Sequence, residues 1–354
     1  MDKLKKIIDR IKPLNKDLIK KTQHWLNSLT KPRGSLGRME EIARQIVVIK
    51  QGINLTLSRK VIFTLAADHG IVSEEVSAYP QEVTYQMVEN FLRGGAAINV
   101  LARAIRARLI IADLGIVKPR PPHSNLINKR IGPGTKNMLR GPAMTREQAM
   151  ESIRAGIDLV ESELKKEGID IMGTGEMGIG NTTASSAITA LVTSSAVEQV
   201  TGRGTGINNL QLKRKIALIR KIIQLNQPDS RDPVDILSKV GGFEIGGLVG
   251  CILTGAAYSI PVVLDGFIST AAALISSQIA PQTKDYLIAS HCSAEKGHRI
   301  ALKYLGLKPL LNLNMRLGEG TGAALGINLA DLSLRLLQEM ATFDKAGVST
   351  RRDL

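Results

Sequence analysis

Aromatic side chains are scarce in this chain: 354 residues contain 5 Phe, 5 Tyr and 1 Trp. A binder of single-stranded nucleic acid interleaves aromatic platforms among its cations, so that class fits poorly. Cysteine is nearly missing too, with only Cys251 and Cys292 and no Cys-x-x-Cys pair. That excludes a thioredoxin-like redox motif and a zinc knuckle. Cys251 lies in an apolar run and reads as core. No His-x-His or His-Glu-x-x-His spacing occurs, so no metal is expected. A metal site would have to collect Asp68, His69, Asp113, Asp265 and His291, which read more simply as polar residues at strand ends. The start, MDKLKKIIDRIKPLNK, has basic residues but no apolar core of a secretory signal. Residues 245–264 form an uncharged run of bilayer-spanning length. Four glycines and Pro261 interrupt it, and its end, PVVL, reads as a strand. The expectation is a cytoplasmic protein with no membrane partner.

What is present is ordinary globular material: 44% hydrophobic and 22% charged residues, with 33 Gly. Bulk disorder is excluded, and the length suggests about two domains. The formal charge of +15 invites a polyanion reading. Residues 1–60, however, carry 15 Lys and Arg against 5 Asp and Glu. Most of the excess is therefore a solvated face of N-terminal helices, and no nucleic-acid partner is expected.

The first 52 residues read as three helices, the third placing Met39, Ile42, Ala43, Ile46 and Val47 on one face. From residue 60 the pattern changes. β-Branched runs end abruptly in small or polar residues: VIFTLAADHG, LIIADLGI, IDIMGTGEMGIG, PVVLDGF and YLIASHCS. Helical stretches alternate with them, one opened by a Thr145/Gln148 capping box. The predicted class is α/β: a parallel Rossmann-like sheet covered by helices on both faces, with a small helical domain from both chain termini. The expected boundaries are 1–58 and 320–354 for the small domain and 59–319 for the large one. Ligands of such sheets bind beyond the carboxyl ends of the strands. Asp68, His69, Asp113, Gly175, Glu176, Asp265 and His291 fall at those ends.

Four segments could carry chemistry. Gly173-Thr-Gly175-Glu176-Met-Gly178-Ile-Gly180-Asn181 follows a strand and opens a helix, matching GxGxxG. Its N–H groups suit a phosphate. Glu176, inside the loop, would repel a pyrophosphate but suits developing positive charge. Gly202-Arg203-Gly204-Thr205-Gly206, followed by Lys213, Arg214 and Lys215, reads as a phosphate loop or an ordinary basic helix turn. Met315-Arg316-Leu317-Gly318-Glu319-Gly320 sets glycines around one carboxylate, either a buried general base or a helix-start acid. Ser77-Ala-Tyr79-Pro80-Gln81, with Met87 and Phe91, has a composition suited to a flat heteroaromatic ligand or to a packed helix start. The GxGxxG match leaves an alternative, a NAD-dependent oxidoreductase.

Taken together, these segments resemble one family, the nicotinate-nucleotide–dimethylbenzimidazole phosphoribosyltransferases of cobalamin lower-ligand synthesis. The resemblance runs from KPRGSLGRMEEIA to EMATFDKAGVS and includes AADHGIVSEEVSAYPQEVTYQ, GTGEMGIGNTTASSAI, GRGTG, GGFEIGGLVG and RLGEGTGAAL. It implies a homodimer that moves phosphoribose from nicotinate mononucleotide to 5,6-dimethylbenzimidazole. The family's general base falls on Glu319 and a second acid on Glu176. Its phosphate lysine falls on Lys215, with Lys213 as the alternative. The resemblance further implies a substrate site drawn from Tyr79, Pro80, Met87, Gly175, Gly178, Gly180, Asn181, Gly202, Gly204, Ser290 and Leu317. This chain has Asn208 and Asn209 where acids are usual, Cys292 and Lys296 where Arg and Pro are common, and Asn314 where Gly is common.

Overall fold

The computed structural model describes residues 3–118 and 121–350. Six strands form one sheet: β1 (Lys60–Ala67), β2 (Arg108–Gly115), β3 (Leu126–Asn128), β4 (Ile171–Met177), β5 (Val262–Leu264) and β6 (Leu287–Ala289). Their order is β3-β2-β1-β4-β5-β6, with every neighbouring pair parallel. Chain order reverses between β1 and β4, so the crevice for a ligand opens beyond the carboxyl ends at that point.

Strands buried on both faces need unbroken apolar runs. β1 supplies one, buried from Val61 to Ala67. Successive side chains serve opposite faces. Val61, Phe63 and Leu65 enter one core cluster, while Ile62 and Ala66 enter the other. Helices Arg146–Lys166, Phe243–Ala257 and Phe267–Ile279 cover the first face. Helices Arg38–Lys50, Ala97–Ala104 and Thr321–Glu339 cover the second.

The uncharged run 245–264 divides into helix Phe243–Ala257 and β5. Every residue of that helix is buried. A helix apolar all round is either a membrane span or the centre of a core. Here it is the core, and among the described residues no helix is long and apolar enough to cross a membrane. Its glycines permit a very close approach to helix Arg146–Lys166. A Cβ on Gly250 would fall 2.0 Å from the Ile153 carbonyl oxygen.

The three N-terminal helices are Lys3–Arg10, Lys16–Ser28 and Arg38–Lys50. The KPRGSLG turn between the last two spends its lysine locally: Lys31 pairs with the buried Glu40 at 2.8 Å. The two chain ends meet on the second face. Trp25 Nε1 donates to the Leu337 carbonyl at 2.9 Å, and Gln338 Nε2 donates to that of Leu55 at 2.9 Å. The first helix lies on the other face, with Leu4 and Ile7 in the core that contains helix Phe243–Ala257.

Replacing Gly250 by Ala inserts a methyl group where no room exists. It should cost about 1–3 kcal/mol, the usual range for overpacking. Thermal denaturation will read this as a lowered Tm, and an unchanged Tm would contradict the packing described.

Candidate active site

A cavity of about 540 Å³ opens beyond β4, β5 and β6. Its wall includes Tyr79 and Met87, Glu176 to Thr182, Gly204 and Thr205, Gly266 to Ile268, part of the segment His291 to Glu295, and Arg316 to Glu319. Segments far apart in sequence thus converge because the parallel strands all end on one side.

Glu319 stands on an unusual backbone. Gly318, Glu319 and Gly320 have φ values of 87°, 65° and 100°. A non-glycine residue in this left-handed region costs about 1–3 kcal/mol and persists only where its surroundings impose it. Thr64 Oγ1 donates to the Glu319 carbonyl at 2.7 Å, and the Glu319 N–H donates to the Glu176 carbonyl at 3.2 Å. The Asp265 carboxylate grips the next residues, accepting from the N–H groups of Gly320 at 2.9 Å and Gly322 at 2.6 Å. The Glu319 carboxylate accepts a long hydrogen bond, 3.4 Å, from the Ile98 N–H. Burial pushes its pKa above the usual carboxylate range, and that N–H opposes the shift.

Glu176 is the penultimate residue of β4, and Asn181 Nδ2 donates to its carboxylate. Burial raises its pKa well above the usual range, the charges of Asp265 and Glu244 add to this, and the Asn181 amide opposes it. Gly175 lies one residue earlier, inside the strand. A Cβ there would fall 2.4 Å from the Glu319 carbonyl oxygen, so this glycine permits the approach of the Glu319 turn.

Another part of the wall is backed by a lysine. Lys215 is buried on helix Asn209–Asn226, and its Nζ donates to Thr182 Oγ1 at 2.7 Å. Burial lowers its pKa to about 8, against the opposing charge of Glu295. A Cβ on Gly204 would lie 3.4 Å from that Nζ. Lys213 is exposed. The Thr205 hydroxyl accepts from the Ala78 N–H at 2.9 Å, tying the GRGTG loop to the Tyr79 loop.

Of the residues implied by the resemblance, Glu319, Glu176, Tyr79, Met87, Gly178, Gly180, Asn181, Gly204 and Leu317 line the cavity. Lys215 stands behind Gly204. Gly175 is strand interior, Gly202 abuts the Glu295 carboxylate, and Pro80 is exposed outside the wall. Ser290 lies beneath it, donating to the Asp265 carbonyl at 3.1 Å. The wall also holds Thr182, Ser293 and Glu295, to which sequence reasoning assigned nothing. Glu295 accepts from the Gly204 N–H at 2.9 Å. His298 Nδ1 accepts from the Ser293 N–H at 2.8 Å, and burial lowers its pKa to about 3.

The strand-end acids considered for a metal bind backbone instead. Asp68 accepts from the Val117 N–H at 2.7 Å and Asp113 from that of Gly115 at 2.8 Å. His69 meets Glu244 at 2.6 Å. Among the described residues no group of three or more His, Cys, Asp or Glu could hold a metal ion. Nor does GxGxxG make a dinucleotide loop, since Gly173 and Gly175 lie within β4. Three of the unusual residues have local reasons. Asn208 caps helix Asn209–Asn226, accepting from the Gln211 N–H at 2.9 Å. Lys296 is the first helical residue after Glu295, a position that proline also tolerates. Asn314 has φ 56°, where glycine is at ease.

A parallel α/β sheet with buried acids facing a lysine and glycine-rich loops defines an enzyme for a phosphorylated substrate, and the family model described as Phosphoribosyltransferase matches residues 11–348. The chain is 52% identical over 353 residues to the nicotinate-nucleotide–dimethylbenzimidazole phosphoribosyltransferase of Desulforudis audaxviator, covering 100% of both chains. It is 50% identical over 352 residues to that of Dehalococcoides mccartyi strain CBDB1, covering 99% of this chain and 100% of that one. The crystal structure of CobT from Thermus thermophilus superposes with a TM-score of 0.90 at 42% identity, covering 95% of this chain and 100% of that one. The chain belongs to the nicotinate-nucleotide–dimethylbenzimidazole phosphoribosyltransferase family.

Glu319→Gly should relieve the left-handed strain and stabilise the fold by about 1 kcal/mol, while removing the carboxylate. Denaturant unfolding beside an activity assay will check both halves. A variant less stable than the parent would contradict the strain described.

Proposed function

We infer that this enzyme transfers 5-phosphoribose from nicotinate mononucleotide to 5,6-dimethylbenzimidazole. The products are nicotinate and α-ribazole 5′-phosphate, a step of cobalamin nucleotide-loop assembly. The observation that carries the reading is a buried carboxylate, Glu319, held in a strained turn on the wall of a cavity also backed by Lys215.

Nicotinate in the mononucleotide is a pyridinium and leaves without a proton. The acceptor is the difficulty: its N–H must be lost as the other ring nitrogen attacks C1′. One carboxylate aimed at that N–H suffices, and burial makes Glu319 a stronger base than an exposed glutamate. Attack on the face opposite the departing ring inverts β to α. Burial and the charges of Asp265 and Glu244 disfavour the Glu176 anion more strongly, which leaves the anionic role to Glu319. A pyridinium arriving beside it favours its anion. Gly180, Gly204 and Lys215 take the phosphate. Tyr79, Met87 and Leu317 take the flat base, which makes the transfer largely a problem of orientation. None of these steps calls for a cofactor.

We further propose a cytoplasmic homodimer, as the family resemblance implies. We also propose that the small helical unit expected from 1–58 and 320–354, beside 59–319, is built among the described residues from 16–58 and 321–350, the first helix having left it for the opposite face. The Trp25–Leu337 and Gln338–Leu55 hydrogen bonds support that unit.

Glu319→Gln should lower kcat by about 100-fold or more, the usual worth of a general base, with KM for the mononucleotide nearly unchanged. Nicotinate release assayed by chromatography decides this, and normal turnover would sink the assignment. Lys215 is charged below its pKa of about 8 and neutral above it. kcat/KM for the mononucleotide should therefore fall as pH rises through that value, and Lys215→Met should lose this alkaline limb. A parent enzyme with no such limb would remove Lys215 from the phosphate.

A further inference from the structure

Asp265 follows β5 directly and is buried, yet it is not part of the cavity wall; Gly266 and Phe267 are. Helix Thr321–Glu339 begins at Gly320, which has no side chain to cap it. The first N–H groups of a helix lack partners within it. Asp265 supplies them from another element. Oδ2 accepts from Gly320 N at 2.9 Å, and Oδ1 accepts from Gly322 N at 2.6 Å and Ala323 N at 3.3 Å. Charge-assisted bonds at the positive end of a helix are strong. The fit is also tight, since a Cβ on Gly322 would fall 2.2 Å from His291 Cδ2 and 2.8 Å from Asp265 Oδ1.

Asp265 is itself held from both sides. Its N–H donates to Thr174 Oγ1 on β4 at 3.3 Å, and its carbonyl accepts from Ser290 Oγ at 3.1 Å. A chain of constraint runs from the middle of β4 and the end of β6 to Asp265, from Asp265 to the turn 318–320, and from the turn to the Glu319 carboxylate.

We propose that Asp265 is a positioning residue for the transfer reaction, clamping the left-handed turn so that the Glu319 carboxylate is aimed at the acceptor N–H. This rests on Glu319 being the base. Without the clamp the turn relaxes toward an ordinary backbone and the carboxylate swings away from the Ile98 N–H. A catalytic group displaced by about 1 Å loses on the order of 100-fold in rate.

The test is Asp265→Asn. The amide oxygen still accepts from Gly322 and Ala323, but its NH₂ now faces the Gly320 N–H, donor against donor. With dimethylbenzimidazole, kcat should fall about 10- to 100-fold, while KM for nicotinate mononucleotide stays within about threefold and Tm within a few degrees. A halogenated benzimidazole has a more acidic N–H and asks less of the base, so it should recover part of the loss. A purely structural defect lowers turnover of both acceptors equally. Should Asp265→Asn fail to fold, Ser290→Ala carries the test. It removes one of the supports of Asp265 and should give the same selective loss, about threefold. Unchanged kcat, or equal loss with both acceptors, overturns the proposal. The parent and Glu319→Gln are assayed alongside. No nicotinate release by the parent overturns the reaction itself. An inactive Glu319→Gln beside a fully active Asp265→Asn overturns only the positioning.

Discussion

Three backbone N–H groups converge on the Asp265 carboxylate, and the geometry of the cavity follows from that convergence. The carboxylate sits at the carboxyl end of β5, while the N–H groups belong to a turn and helix 55 residues further along the chain. One side of this contact is the rigid end of a parallel sheet. The other is the strained segment that carries Glu319. Strain persists where packing and hydrogen bonds overdetermine it, and here Thr64 on β1, Glu176 on β4 and Asp265 just after β5 supply the constraints.

The electrostatics follow from the same burial. Acids gathered at strand ends in a low-dielectric cavity cannot all ionise. Glu176 is buried near Asp265 and Glu244, and burial and both neighbouring charges disfavour its charged form. Asp265 is buried as deeply, with a pKa raised to about 7, but its three N–H partners oppose the shift. Lys215 is buried as well, and desolvation makes its charge titrate at about 8 instead of far above physiological pH. Burial thus acts on both signs of charge, raising the pKa values of the acids and lowering that of the lysine.

Much of this was legible in one dimension. β1 announces itself as an unbroken apolar run ending in Asp68, because a strand buried on both faces has no polar side to show. The stripe Met39, Ile42, Ala43, Ile46 and Val47 marked a helix with one buried face; the last four are buried and Met39 is half-buried. Glycines around Glu319 marked a backbone that side chains rarely adopt. Glu295 gave no such signal. It touches Gly204 across 91 residues of sequence, and nothing in SAEKGH distinguishes it from a surface acid. The run 245–264 was ambiguous for a related reason, since length and lack of charge alone do not separate a membrane span from a core helix.

By itself the sequence determined the parallel α/β class, the family, and the loops that carry acids, glycines and a lysine. These are consequences of local pattern: hydrophobic period, turn residues and ordered motifs. Only the tertiary structure decided which acid meets which donor. It set Asp265 beneath the Glu319 turn, buried Lys215 and exposed Lys213, and withdrew Ser290, Gly202 and Gly175 behind the wall. The physical reason is that pKa, strain and aim depend on groups brought near by the folding of distant segments, and a residue's sequence neighbours do not specify its spatial ones.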